Sequence, residues 1–297
     1  MDYYNLWYDI FHLLNLKSQL AMIFASIIFN KNLSIKNLDD CYADLIIEKI
    51  INLKIFTNVV KIVLFSNVID LSMLKHLKVL DVEVLNMNNR FILKQNSIDV
   101  LDLVELNISY AKNITDVSFM KNLKVLDISF IKHIGQNSIH GLDLIELHAS
   151  GCLDIRDVSF MRNLKYLWAN FYCGIDQNGI NGLDLFLLDI DTNNKITDIS
   201  FMKNLKILNI TSPNFFHYET DIKIGQEQIS GLNLVELKAN NNRKIRDVSF
   251  MRNLKYLSIQ GECGIDQTGI QGLNLYKIDH WLNYEITDIT FMKNLVY

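Results

Sequence analysis

LDLVELNISYAKNITDVSFMKNL, residues 101–123, decides the fold, because the chain writes it five times. The copies read LDLIELHASGCLDIRDVSFMRNL from Leu142, LDLFLLDIDTNNKITDISFMKNL from Leu183, LNLVELKANNNRKIRDVSFMRNL from Leu232 and LNLYKIDHWLNYEITDITFMKNL from Leu273. Each start lies 41 residues after the last, except that Leu183 and Leu232 are 49 apart. A fixed period of this size is the mark of a stacked solenoid, in which each coil packs only on its neighbours. Such an architecture offers long surfaces and few enclosed pockets, which favours recognition over catalysis.

Each 41-residue block divides into a longer coil, as in Leu101–Asn122, and a shorter one, as in Leu123–Gly141. Both begin on one stencil: Leu103-x-x-Leu106-x-Ile108 in the first, Leu123-x-x-Leu126-x-Ile128 in the second. Apolar residues two apart put Leu106 and Ile108 on one face of a short strand, and the residues between them face outward. An apolar residue eight positions after the middle leucine (Ile114, Ile134, Ile155, Ile175) closes the far side of the coil.

In the longer coil, Asp116, Asp157, Asp198, Asp247 and Asp288 read as caps whose carboxylates accept N–H groups of the next turn. The alternative, a ladder of metal-binding aspartates, fails on distance. Copies two coils apart lie about 10 Å from one another, whereas the ligands of one ion converge on it at about 2–2.5 Å. Phe119, Phe160, Phe201, Phe250 and Phe291 are expected to fill the interior behind the strands. In the shorter coil, Gly141, Gly182, Gly231 and Gly272 stand where a positive φ costs glycine nothing. Gln95, Gln136, Gln177, Gln226 and Gln267 recur at one position, as expected of a glutamine stack running along the solenoid.

The stencil resembles a leucine-rich repeat, from about residue 59 to residue 297. Its short form, LxxLxI…ITD…FxxNL, is similar to the cysteine-containing subclass found in F-box proteins, most closely at Leu147-His-Ala-Ser-Gly-Cys-Leu-Asp-Ile-Arg-Asp157. The expected fold class is α/β: a leucine-rich-repeat solenoid with short parallel strands and helical or irregular return legs, preceded by an N-terminal α-helical segment. Residues 1–58 form that segment and cap the solenoid. Residues 59–297 form the repeat domain, about eleven coils in 41-residue pairs. Asp70-Leu-Ser-Met-Leu-Lys-His-Leu77 is a worn copy of Asp116–Leu123, and the chain stops three residues into a further coil at Tyr297. That end either pairs with something, for instance a second copy, or continues in a longer chain.

Residues 2–57 do not repeat. Leu6–Leu14 and Lys17–Phe29 read as two apolar helices joined near Asn15–Ser18. They resemble an F-box, whose pattern falls on Ile10, Phe11, Leu14, Asn15, Lys17, Ser18, Leu20, Ala25, Ser26 and Phe29, without the usual early Leu-Pro. The resemblance implies that Ile10, Phe11, Leu14, Leu20 and Phe29 bind a Skp-type adaptor of a cullin–RING ubiquitin ligase, the repeats recruiting its substrate. An F-box-like segment ahead of leucine-rich repeats is similar to proteins encoded by giant DNA viruses of amoebae. The plain alternatives are a helical cap with no ubiquitin link and a binding or structural repeat protein that associates with itself.

Composition narrows the field. The 297 residues carry a net charge of −4, 49% hydrophobic side chains, four cysteines and one proline, Pro213. That apolar content fills a large core, and the charge argues against a nucleic-acid partner. Cys173 and Cys263 hold equivalent places in coils four steps apart, roughly 19 Å at about 4.8 Å per strand, beyond disulfide reach. Cys152 and Cys173 lie in neighbouring coils and could approach each other. Packed thiols are the expected state. The start MDYYNLWYDI lacks the basic residues of a secretory signal, and Leu20–Phe29 is too short to span a bilayer. A cytoplasmic location (the host cytoplasm, for a viral protein) and no membrane partner are therefore expected. The seven histidines form no HExxH or Cys/His spacing, and no P-loop or GxSxG occurs, so neither metal, cofactor nor enzymatic activity is expected.

The repeats serve as their own comparison: frame positions hold constant while outward strand positions vary, as on a binding face. The outward positions hold seven acidic residues against Lys238 and Lys277. His148, Tyr166, Trp168, Leu187, Asp189 and Ile207 form an aromatic and apolar patch on the expected concave face, with Tyr256 further along. Buried Trp and Tyr anchors commonly dominate interface energetics. The eight-residue excess of the long block falls in Ser212–Lys223, where Phe215 and Phe216 either join the binding face or fold back over the solenoid edge.

Overall fold

The computed structural model describes residues 37–38, 61–64, 71, 74–82, 93–212 and 222–296. Two compact units divide the chain, residues 1–142 and 143–297. In the first, β1 (Asn37–Leu38), β2 (Lys61–Leu64), β3 (Val79–Val82), β4 (Glu105–Asn107) and β5 (Val125–Asp127) pair in parallel in chain order. In the second, β6 (Glu146–His148), β7 (Tyr166–Trp168), β8 (Leu187–Asp189), β9 (Ile207–Asn209), β10 (Glu236–Lys238), β11 (Tyr256–Ser258) and β12 (Lys277–Asp279) do the same. This is a parallel β-solenoid of leucine-rich coils. Of the expected N-terminal helical segment only β1 is described. Ile10, Phe11, Leu14, Leu20 and Phe29 lie outside the described residues, as do Cys41, Phe215 and Phe216.

The register follows from the stencil. In the second unit Leu147, Leu167, Leu188, Leu208, Leu237, Leu257 and Ile278 stand on successive strands as direct partners. The six leucines of that column are buried, and their neighbours in each strand are turned to the other side. Burying one such side chain stabilises the fold by about 1.5–3 kcal/mol, so a one-residue slip would turn the whole column into water.

Two α turns, α1 (Gln95–Ile98) and α2 (Gln226–Ile229), and 3-10 turns at Gln136–Ile139, Asn178–Ile180 and Thr268–Ile270 make the return legs of the shorter coils. Ile114, Ile134, Ile155 and Ile175 are buried on the far side, as their spacing predicts.

The longer coil returns differently from expectation. Met120 N–H donates to the Val117 carbonyl and Leu123 N–H to the Met120 carbonyl, a three-residue pitch that puts Val117, Met120 and Leu123 on one inward line. Met161, Met202, Met251 and Met292 are buried likewise. The phenylalanine one step earlier is rotated off that line: Phe119 is 38% exposed and Phe250 36% exposed. Methionine, unbranched and adaptable, fills the interior that ring size alone would have assigned to phenylalanine.

The caps are as read. Asp116, Asp157, Asp198 and Asp247 each accept the N–H of the serine two residues on, at 2.8 Å, and Asp288 does the same for Thr290. Four of the glutamines, however, bond to backbone rather than to one another. Gln95, Gln177, Gln226 and Gln267 each reach the next coil, where the amide donates to the aspartate's carbonyl and its oxygen accepts two successive N–H groups. A glutamine-to-glutamine stack would have left those backbone groups without partners.

A second ladder runs inside. Asn193, Asn242 and Asn283 are buried, and each donates to two carbonyls of the preceding coil while accepting an N–H of its own. Cys152, Cys173 and Cys263 stand near the corresponding place in other coils as buried free thiols. Burial pushes Cys173 and Cys263 up to about 11, so they are packing groups rather than nucleophiles.

The corners past β4–β8 and β10–β12 also turn through the left-handed region. Gly151 and Gly261 do so without cost, but Tyr110, Phe130, Phe171, Thr192, Asn241 and Leu282 adopt φ between 52 and 63°. Gly141, Gly182 and Gly272 have φ of 73–75° as expected, whereas Gly231, following α2, is not among the positive-φ residues.

Candidate functional site

The outward side chains of the second unit form rows fixed by the strand register. One row reads Glu146, Tyr166, Leu187, Ile207, Glu236, Tyr256 and Lys277, and the next reads His148, Trp168, Asp189, Asn209, Lys238, Ser258 and Asp279. A parallel ladder sets such neighbours about 4.8 Å apart. Tyr166, Leu187 and Ile207 thus lie side by side, with Trp168 and Asp189 beside them. Tyr256 is separated from this group by Glu236.

Ring geometry makes the patch rigid. The His148 imidazole and Trp168 indole stack at 3.9 Å with 8° between their planes, and His148 Nε2 lies 2.8 Å from Glu146 Oε1. Tyr166 leans on Phe186 at 5.7 Å. Tyr166 and Trp168 are half-buried, leaving each a face for contact.

Two carboxylates border the rings. Burial raises Asp189 above the ordinary carboxylate range, against hydrogen bonds from the Asp191 N–H, Asn209 and Asn170 and the attraction of Lys238. Burial, with the Asp189 charge second, lifts Asp191 to about 6. Asp191 N–H donates to Asp189 Oδ1 at 3.2 Å, so the backbone itself holds the two together. Next to them Asn170 Oδ1 is buried and accepts no hydrogen bond.

The outward side of β10–β12 is arranged otherwise. Glu236, Lys238, Tyr256, Ser258, Lys277 and Asp279 line a shallow hollow of about 350 Å³. Lys238 Nζ lies 3.4 Å from Glu236 Oε1, the Gln260 amide donates to Asp279, and Asn240 Oδ1 accepts from the Ser258 hydroxyl. Tyr256 is 43% exposed and meets Tyr276 edge-on.

Of the residues expected on the binding face, His148, Tyr166, Trp168, Leu187, Asp189 and Ile207 are brought together, while Tyr256 belongs to the second group. Asn170 and Asp191 are expected to face outward as the third such position of their coils, but the expected patch did not include them. Their signal was there: the same step of two continues from 166 and 168 to 170, and from 187 and 189 to 191. Among the described residues no group of three His, Cys, Asp or Glu could hold a metal ion. None of the helices there is long and apolar enough to cross a membrane.

No protein-family model matches the chain, and no curated protein matches it in sequence. The solved structures similar to it include the following three. An internalin (InlF) from Listeria monocytogenes shares 18% identity at a TM-score of 0.42, over 84% of this chain and 69% of that one. The functional domain of InlJ from Listeria monocytogenes, which includes a cysteine ladder, shares 18% at a TM-score of 0.44, over 88% and 59%. A leucine-rich-repeat protein from Leptospira interrogans shares 16% at a TM-score of 0.42, over 80% and 71%.

Proposed function

We propose that the protein is a recognition scaffold, non-enzymatic, whose outward strand face over β6–β9 holds a protein partner. The observation that carries this reading is the patch itself. Tyr166, Trp168, Leu187 and Ile207 sit contiguously on a sheet face pinned by backbone ladders, with the Trp168 ring already fixed by His148. Binding at a preorganised aromatic face loses little conformational entropy. A peptide library displayed on phage and selected against the full chain, then against Trp168→Ala, tests it. The expected result is binders whose affinity falls by more than about 30-fold in the variant, as for an anchor worth about 2 kcal/mol. Selections that yield no binder sensitive to Trp168→Ala overturn it.

The finer role we propose is substrate recruitment to a cullin–RING ligase in the cytoplasm, the F-box-like residues Ile10, Phe11, Leu14, Leu20 and Phe29 holding a Skp-type adaptor. It rests on the N-terminal sequence resemblance alone. Adaptor capture by the full chain, lost on Ile10→Asp or Leu14→Asp, would support it. Capture unaffected by both substitutions, or no capture, leaves the scaffold reading without a ubiquitin link.

A further inference from the structure

We infer that the β6–β9 face takes an arginine of its partner, seating the guanidinium on Asn170, Asp189 and Asp191 with the side-chain stem along Trp168. The inference rests on the recognition reading and adds to it the chemistry of the partner.

Asp189 accepts from the Asp191 N–H, Asn209 and Asn170, but the site still holds more acceptors than donors. Asn170 Oδ1 is buried without a hydrogen bond, an arrangement native proteins rarely leave unless something else satisfies it. Ala169 N–H donates to the Asp189 carbonyl and Phe171 N–H to the Asp191 carbonyl, both at 2.8 Å. These bonds carry the ladder past the end of the strands and set Asn170 beside Asp191 on the side that bears Trp168 and Asp189. Three acceptor groups therefore converge within one or two rungs. Burial disfavours the ionised form of both carboxylates, so their surroundings supply too little positive charge.

The surrounding charges do not fill the gap. The outward positions of β6–β9 and the two residues following each strand hold Glu146, Asp189 and Asp191 and neither lysine nor arginine. Glu146 is engaged by His148 on its own strand. Tyr166 on β7 leans towards Phe186. Lys238 on β10 attracts Asp189 only from a distance and stands 3.4 Å from Glu236. Lys165 and Lys206, which precede β7 and β9, donate instead to the carbonyls of Asp184 and Asn233.

Shape selects arginine. His148 covers the β6 side of the indole, so the free face of Trp168 looks towards Asp189 on β8. A guanidinium is flat, stacks on aromatic faces and carries five donors in a rigid fork, which suits two carboxylates and an amide oxygen beside a ring.

The test uses the full chain and two blocked pentapeptides, one with a central arginine and one with citrulline, its uncharged isostere. Nuclear magnetic resonance follows the Trp168 indole N–H and the Asp191 carboxyl carbon. The arginine peptide is expected to move the indole signal and to lower the Asp191 titration midpoint by about one unit, as a close opposite charge does. Citrulline is expected to do neither. Asp191→Asn should abolish the indole response. Asp127→Asn, on the outward side of β5, should preserve it and so control for folding. Equal responses to both peptides, or none up to tens of millimolar, overturn the inference. Displayed binders that depend on Trp168 but contain no basic residue would sink this inference while leaving the recognition reading intact.

Discussion

Strands β6–β9 and β10–β12 share one backbone register and one inward column, leucine and buried on every strand but β12, yet their outward sides are finished in opposite ways. Over β10–β12 the polar groups pair among themselves: Lys238 with Glu236, Gln260 with Asp279, and Asn240 with Ser258. Over β6–β9 the aromatic rings stack in place, but Asp189 and Asp191 are desolvated together and Asn170 Oδ1 has no donor. A surface whose hydrogen bonds close on itself gains little from a partner. One left open gains whatever donor the partner brings, because an unmade buried bond costs more than a made one contributes. The difference teaches where on a uniform scaffold to look for function.

The largest expected effect tests whether the frame beneath both regions is the same. Asn193→Ala and Asn283→Ala each remove two donated bonds and one accepted bond from buried backbone groups. Both should lower stability by about 3 kcal/mol in urea titrations, with or without a partner present. A cost at Asn193 alone would mean that the two regions differ in their frame as well as their surface.

The next effect lies on the surface and should separate the regions. Trp168→Ala is expected to weaken a selected binder by more than about 30-fold and Tyr256→Ala by less than about five-fold, measured by calorimetry. Equal losses would merge the two groups into one interface.

The pH dependence sharpens the electrostatic half of the comparison. Asp191 is raised from 3.8 to about 6, so folding favours its protonated form. Its contribution is fully present below about 3.8 and is lost as pH rises through about 6. Asp191→Asn, which cannot ionise, should flatten the stability profile across that window and leave the molecule more stable than wild type at neutral pH. Thermal melts between pH 4 and 7 decide it. An unchanged profile would mean that Asp191 is solvated and ionised like an ordinary surface carboxylate. The lowered groups run the other way: Asp198 and Asp266, held down by bonds to Ser200 and Thr268, lose their contribution as pH falls.

The smallest effect concerns the corner between the open face and its frame. Thr192 is β-branched and sits at φ 59°, where glycine sits without strain. Thr192→Gly should stabilise by about 1 kcal/mol, reduced by glycine's greater freedom when unfolded. A destabilised variant would show that the threonine side chain makes contacts worth more than its strain.

Much of this was legible in the residues. The Leu-x-x-Leu-x-Ile stencil gave strands, register and the inward column, because a period of two admits only one buried side. The Asp-x-Ser step gave the caps, since a carboxylate reaches a backbone N–H two residues away with no help from the rest of the fold. Phe119 and its equivalents were misread, because hydrophobic size says nothing about a three-residue turn that rotates Met120 inward instead. The glutamines at 95, 177, 226 and 267 were seen to recur, but their partners lie 20 and 21 residues on, in the next coil.

By itself, then, the sequence determined the solenoid, its parallel strands and the outward address of Tyr166, Trp168, Leu187 and Ile207, because these depend on local periodicity. Only the tertiary structure decided that Asn193 and its kin bolt coil to coil, that Tyr256 stands apart from Trp168, and that Asn170, Asp189 and Asp191 share one donor-poor corner. Hydrogen-bond satisfaction and desolvation depend on what the neighbouring coil brings within 3 Å or so, a quantity no single coil's sequence contains.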